Sequence, residues 1–159
     1  TVVMHTKVDS VGKLYIHDYV RARMNIKELI DIIFDYKRRI PTLVGVWVEL
    51  QPSETEVNSA TLYAIREEMK RRGEFFRLEG LRPSGNKTAR AQALVNLFAN
   101  GRVFLRQTQH ELIEELLTFT GVDDEHDDLV DALAYAPMIT QPGRPKKPLQ
   151  AADTDMVGY

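Results

Sequence analysis

The spacing of hydrophobic and polar positions changes several times along the chain, and each change marks an element. Thr1-Val2-Val3-Met4-His5-Thr6 is β-branched and apolar, and Leu14-Tyr15-Ile16-His17-Asp18-Tyr19-Val20 resumes that character after the turn residues Asp9-Ser10-Val11-Gly12. Two such runs about a turn predict a hairpin. From Asn25 the period lengthens. Leu29, Ile32, Ile33 and Tyr36 fall on one helical face, and Asn25 with Glu28 three residues on is a capping-box signature. Pro41 follows that helix. Leu43-Val44-Gly45-Val46-Trp47-Val48 is a continuous apolar run, the pattern of a strand buried on both faces, and it ends on Glu49.

Ser53 or Thr55 opens a second helix, which runs through Leu62, Ile65 and Met69 to the breaker Gly73. Phe75 to Leu78 reads as a short strand and Pro83 to Asn86 as a loop. Lys87 to Ala99 is helical, with Ala91, Leu94, Val95 and Phe98 on one side. Asn100-Gly101 turns the chain into the strand Val103-Phe104-Leu105; helices follow over His110 to Phe119 and from about Glu125 to Met138. A hairpin followed by alternating helices and strands predicts an α/β domain on a mixed sheet over residues 1–138. Residues 139–159 are rich in proline and basic side chains and poor in apolar ones, and read as a flexible tail. No internal repeat is visible.

The chain is long enough for one domain with a real core, and its net charge of −2 conceals a segregation. Between Lys70 and Arg106 nine basic residues stand against two acids, Glu74 and Glu79; between Glu111 and Asp131 there are nine acids and no Lys or Arg. A basic stretch beside an acidic one suits a phosphate-rich partner and a cation site. There is no cysteine, which removes disulfides and thiolate zinc sites. No apolar run reaches the ~18 residues of a membrane span, and the N-terminus has no secretory signature. Opening on Thr1 inside a strand-like run, the chain reads as an excised part of a cytosolic protein.

The acids carry the candidate chemistry. Asp128 and Asp131 are three apart and Asp127 and Asp131 four apart, so a helix directs them to one side. Carboxylates gathered this way repel unless a cation sits between them, and Mg²⁺ or Mn²⁺ prefers such oxygen ligands. Glu49 ends a buried strand, where open α/β sheets place their sites. A strand-end carboxylate facing a helix with two more fits a two-metal phosphodiester hydrolase. Asp123, Asp124 and Glu125 also have the simpler reading of acids favouring a helix N-terminus, and His126 that of a surface residue at a helix start. That reading fits Asp131 poorly, since it lies well inside the helix between Val130 and Ala132, where an unpaired carboxylate is costly.

The stretch HDDLVDALAYA, His126 to Ala136, resembles the closing motif of the nuclease domain of large terminase subunits, the DNA-packaging motors of tailed bacteriophages. GKLYIHDYVRARM resembles the family's third strand, VGVWVEL the strand ending in its second catalytic acid, and NKTARAQALVNLFANGRVFL the helix and strand before the last site. The resemblance spans Thr1 to about Met138 and implies a ribonuclease H-like mixed sheet flanked by helices. It implies metal-dependent endonucleolytic cleavage of double-stranded concatemeric DNA. By position it makes Glu49, Asp128 and Asp131 catalytic, and Glu49, Asp127, Asp128 and Asp131 the ligands of Mg²⁺ or Mn²⁺, with Asp127 behind the other two aspartates. Lys87 and Arg90 match a basic helix start that meets DNA, and Arg82 precedes it.

Double-stranded DNA, the portal protein and the small terminase subunit are the implied partners, and the host cytoplasm the implied place, with no membrane. The family's first strand, with its catalytic aspartate, has no counterpart here, nor has the ATPase domain, since no G-x-x-x-x-G-K-[ST] occurs. Weak cleavage is therefore expected of this chain alone. Two other readings stay open: a Holliday-junction-resolvase-like nuclease of the same fold, and a non-catalytic module docking on DNA or the portal through the tail.

Overall fold

The computed structural model describes residues 1–82, 87–120 and 128–139, with the backbone alone at 87–90. The expected hairpin is β1 (Val2–Val8) paired antiparallel with β2 (Leu14–Arg21). Its turn is organised by Asp9, whose carboxylate accepts from the N–H groups of Val11 and Lys13 at 3.0 and 2.9 Å. Gly12 there adopts φ 81°, a conformation that side chains disfavour.

Helix α1 (Ile26–Arg39) starts as its sequence dictates. Asn25 accepts from Glu28 N–H at 3.0 Å, and the Glu28 carboxylate accepts from Asn25 N–H at 2.8 Å, which satisfies two otherwise orphan donors. Helix α2 (Ala60–Arg72) ends on Gly73 in the left-handed conformation, as expected, but it starts later than Ser53 or Thr55. Thr55 instead heads a separate turn, its hydroxyl accepting from the N–H groups of Val57 and Asn58 at 3.3 Å and its own N–H donating to Asn58. Ser59, fully buried, is the residue that caps the helix, through Leu62 N–H.

Strand β3 (Gly45–Glu49) runs parallel to β4 (Arg77–Leu81), which begins two residues later than Phe75. Phe75 is exposed, while Phe76 packs edge-on against Phe34 with centroids 5.4 Å apart. The expectation that β3 is buried on both faces is only half met. Val46 and Val48 pack on the core beneath α1 and α2, but Trp47 faces the other way, half-exposed, donating to Glu79 at 3.0 Å under the Arg77 guanidinium. Among the described residues β3 pairs with β4 alone, in a two-stranded sheet separate from β1–β2–β5, and neither core cluster takes in Trp47.

Helix α3 (Lys87–Ala99) leads into β5 (Val103–Phe104), which pairs parallel with β2. Ala91 and Leu94 are buried as expected, whereas Val95 and Phe98 are exposed. The stripe continues through Leu97 instead, so the buried face is narrower and rotated. Helix α4 (His110–Thr118) precedes α5 (Asp128–Ala134) and α6 (Ala136–Ile139), which replace the single expected helix and are separated at Tyr135. The start assigned to that helix near Glu125 and the tail from residue 140 lie outside the described residues.

Two hydrophobic clusters result. One joins Leu14 and Ile16 of β2 with Leu94, Leu112, Leu129, Val130 and Leu133; the other joins Ile30, Ile33 and Phe34 with Ile65 and Met69. Helices α3, α4 and strand β1 all lie against α5, which fixes the motif helix in the first cluster. Among the described residues, no helix is long and apolar enough to cross a membrane.

Candidate active site

Glu49 stands where its strand ends, exposed, beside Leu50, which is buried and whose N–H reaches the Leu81 carbonyl at 2.8 Å. Gly80 on the neighbouring strand is required here: a β-carbon at that position would come within 2.7 Å of the Leu50 side chain. A larger residue there would require the Leu50 side chain to shift.

The motif helix meets Glu49 through Tyr135. The phenol donates to Glu49 Oε1 at 2.7 Å, while the rest of Tyr135 is buried. Tyr135 stands immediately after α5, in the turn that separates it from α6. Asp131 is half-buried, and Asp128 one turn before it has a side chain 62% exposed, its Oδ2 3.9 Å from Arg21 Nε. Asp127 lies outside the described residues. Strand-end acid and motif helix are thus joined through a tyrosine. Among the described residues, however, no three acid or imidazole side chains gather closely enough to hold a metal ion.

The start of α5 is held by a residue that sequence reasoning passed over. Glu115 on α4, with a side chain only 7% exposed, accepts at Oε2 from Leu129 N–H at 3.0 Å and Val130 N–H at 3.3 Å. Its Oε1 receives Arg21 Nη1 at 2.6 Å. One carboxylate therefore takes up two backbone donors of the motif helix and neutralises a strand-end arginine. A signal was present: Glu115 follows Leu112 by three and precedes Phe119 by four, which puts a carboxylate on the apolar stripe of α4. Tyr135 carries no such signal, because it lies in the turn after α5 and helical spacing does not relate it to Asp131.

The basic stretch is less available than its composition suggested. Lys70 pairs with Glu67 at 2.7 Å, Arg71 with Glu68 at 2.7 Å, Arg72 with Asp31 at 2.6 Å and with Glu68 at 2.8 Å, and Arg77 with Glu79 at 2.6 Å. Counting from Lys70 left out Glu67 and Glu68 one turn earlier and Asp31 on α1. Arg82, exposed after β4, donates from Nη2 to the Glu54 carbonyl at 2.9 Å. Lys87 and Arg90 sit in the first turn of α3, their side chains outside the described residues.

Hydrogen bonds from Arg71 and then Arg72 hold the Glu68 carboxyl down at about 2. A carboxyl depressed on folding stabilises above its ordinary value near 4.5 and loses that contribution as the pH falls toward about 2. In a ¹³C-detected titration Glu68 is therefore expected to stay ionised through pH 4; a midpoint above 4 would mean that the α2 pairs do not persist in solution.

A mixed three-stranded sheet and a parallel pair, layered with helices and carrying an acid at a strand end, make an α/β domain. The family model for the terminase RNase H-like domain matches residues 3–138, and the chain belongs to that family. Membership connects it with a terminase nuclease-type role in general terms. No curated protein and no solved structure is significantly similar to the chain.

Proposed function

We propose that the chain is the nuclease domain of a phage or prophage terminase large subunit, acting in the host cytoplasm to cut concatemeric double-stranded DNA during packaging. The observation carrying this reading is the Tyr135–Glu49 hydrogen bond, which ties the strand-end acid to the motif helix bearing Asp128 and Asp131. In this reading those three acids, with Asp127, hold Mg²⁺ or Mn²⁺. The donors are all carboxylate oxygens, the ligands such hard cations favour, and Glu49 and Asp128 are both exposed. When bound, such cations supply an activated water and charge stabilisation at the leaving 3′ oxygen.

The chain's own residues do the positioning. Tyr135 orients Glu49 by engaging Oε1, Glu115 fixes the first turn of α5 and thereby the direction of Asp128, and Arg21 stands between Glu115 and Asp128. Lys87, Arg90 and Arg82 are the proposed contacts to DNA phosphates, with portal protein and small terminase subunit as assembly partners.

Metal linkage is the direct test. Millimolar Mn²⁺ is expected to raise the melting temperature by about 5 °C, as binding to the folded state alone requires. Asp131→Ala is expected to remove that rise. No rise in the unsubstituted chain would leave the acids as structural residues and favour a docking module that needs no metal.

A further inference from the structure

The β1–β2 hairpin carries a second group of chemistry-bearing side chains that the nuclease reading leaves unused. Met4 packs on the cluster beneath α5, so the next residue along β1, His5, belongs to the opposite face. There the register slips: His5 pairs with Asp18 and Thr6 with Ile16, leaving His17 as the extra residue of a β-bulge. Bulges re-aim side chains and recur beside functional sites. This one stacks the rings of His5 and His17 with centroids 5.1 Å apart, and Tyr36 of α1 meets His5 at 5.8 Å. These three rings, with Asp18, Arg39 and Arg106, line a recess of about 360 Å³.

The charges of the recess favour an anion. Asp18, the one acid lining it among the described residues, is already engaged, Oδ2 accepting from the Tyr36 hydroxyl at 3.1 Å and Oδ1 from Tyr19 N–H at 2.9 Å. Burial and then Asp18 push the Tyr36 phenol up to about 12, so it remains a donor at neutral pH. Arg39 lies 4.8 Å over the Tyr36 ring and shares its Nε with Asp35 at 2.7 Å on the solvent side. Arg106 has no ion pair among the described residues. A metal is the obvious thought for two histidines beside an aspartate, but these residues do not form a metal-holding group. His5 is held below the ordinary imidazole range by burial first, then by His17, Arg39 and Arg106, against the opposing pull of Asp18. An imidazole offers a ring N–H donor in either protonation state, and an incoming anion would offset the Arg39 and Arg106 charges that oppose a proton on His5.

We propose that this recess is a phosphate-binding site, distinct from the acidic site, in which Arg39 and Arg106 supply charge and His5 and His17 supply ring donors. A phosphodiester of the DNA backbone and a free phosphate present the same chemistry to these groups. The proposal does not depend on the nuclease reading.

Ring ¹H–¹³C spectra of the full chain test it, with His110, exposed at the start of α4, as internal control. Inorganic phosphate is titrated at constant ionic strength near neutral pH, and a short DNA duplex in a second series. The His5 and His17 signals are expected to shift together and saturate, with the His5 titration midpoint moving upward. Arg39→Gln and Arg106→Gln should each weaken the effect about tenfold, the loss of one charge-assisted hydrogen bond. Response to both ligands supports the site with backbone phosphate as its occupant. Response to phosphate alone supports it with a small phosphate-bearing molecule. His5 and His17 signals that move no more than His110's with either ligand overturn it.

Discussion

Glu49→Gln and Asp131→Asn are each expected to lower Mn²⁺-dependent nicking of supercoiled plasmid at least about a thousandfold, roughly 4 kcal/mol of transition-state stabilisation. Both exchanges keep the size of the side chain and remove the charge that a divalent ligand must carry. Tyr135→Phe is expected to sit between these and the parent. It leaves Glu49 charged but removes the hydrogen bond at 2.7 Å that orients it, and loss of such an outer contact costs about ten- to a hundredfold. In the proposed nuclease reading a further catalytic aspartate belongs on a strand ahead of β1. The series therefore belongs in two backgrounds: this chain, and one extended upstream by about fifty residues. Cleavage by the extended chain that is indifferent to Glu49 and Asp131 would remove both from the catalytic set, while a graded loss through Tyr135 ties the strand end to the motif helix in function.

The second large effect concerns folding. Glu115→Ala is expected to destabilise the chain by about 3 kcal/mol, because two backbone donors of α5 and the Arg21 guanidinium lose one shared, nearly buried acceptor. In thermal unfolding this corresponds to a fall of about 8 °C. Arg21 is partly exposed and recovers some hydration, which keeps the loss below that of a fully buried pair. Glu115→Gln retains an acceptor oxygen without the charge and should lose about half as much. The damage should extend to metal linkage, since Asp128 begins the turn that Glu115 holds. A Glu115→Ala chain as stable as the parent would mean that α5 starts without this cap.

What could be read from the chain beforehand divides by the distance over which the interactions act. The Asn25–Glu28 box and the Gly73 stop were legible because each is closed within a few residues. The start of α2 was misplaced because Thr55 and Ser59 both belong to the capping class, and the choice depended on burial of Ser59, which no local pattern reports. Trp47 looks like a core residue from its apolar neighbours; whether its face is covered depends on packing from distant elements, and neither cluster takes it in. At the site, Glu49 stands out as the acid that ends an apolar strand, and Asp131 because an acid between apolar residues is costly without a partner. Glu115 met the same criterion on α4 but was submerged in a count of acids. The basic stretch misled for the opposite reason, since its partners lay just outside the window or, like Asp31, on another helix.

The two hydrophobic clusters share no sheet: one is built on β1, β2 and β5, the other on β3 and β4. Side-chain contacts that link them include Tyr135 to Glu49 and Tyr36 to His5 and Asp18. An arrangement of this kind allows the two clusters to open at separate free energies. A cation held by Glu49 from one unit and Asp131 from the other would then act as a staple, merging two melting events into one and making catalytic competence and mechanical unity of the domain the same event.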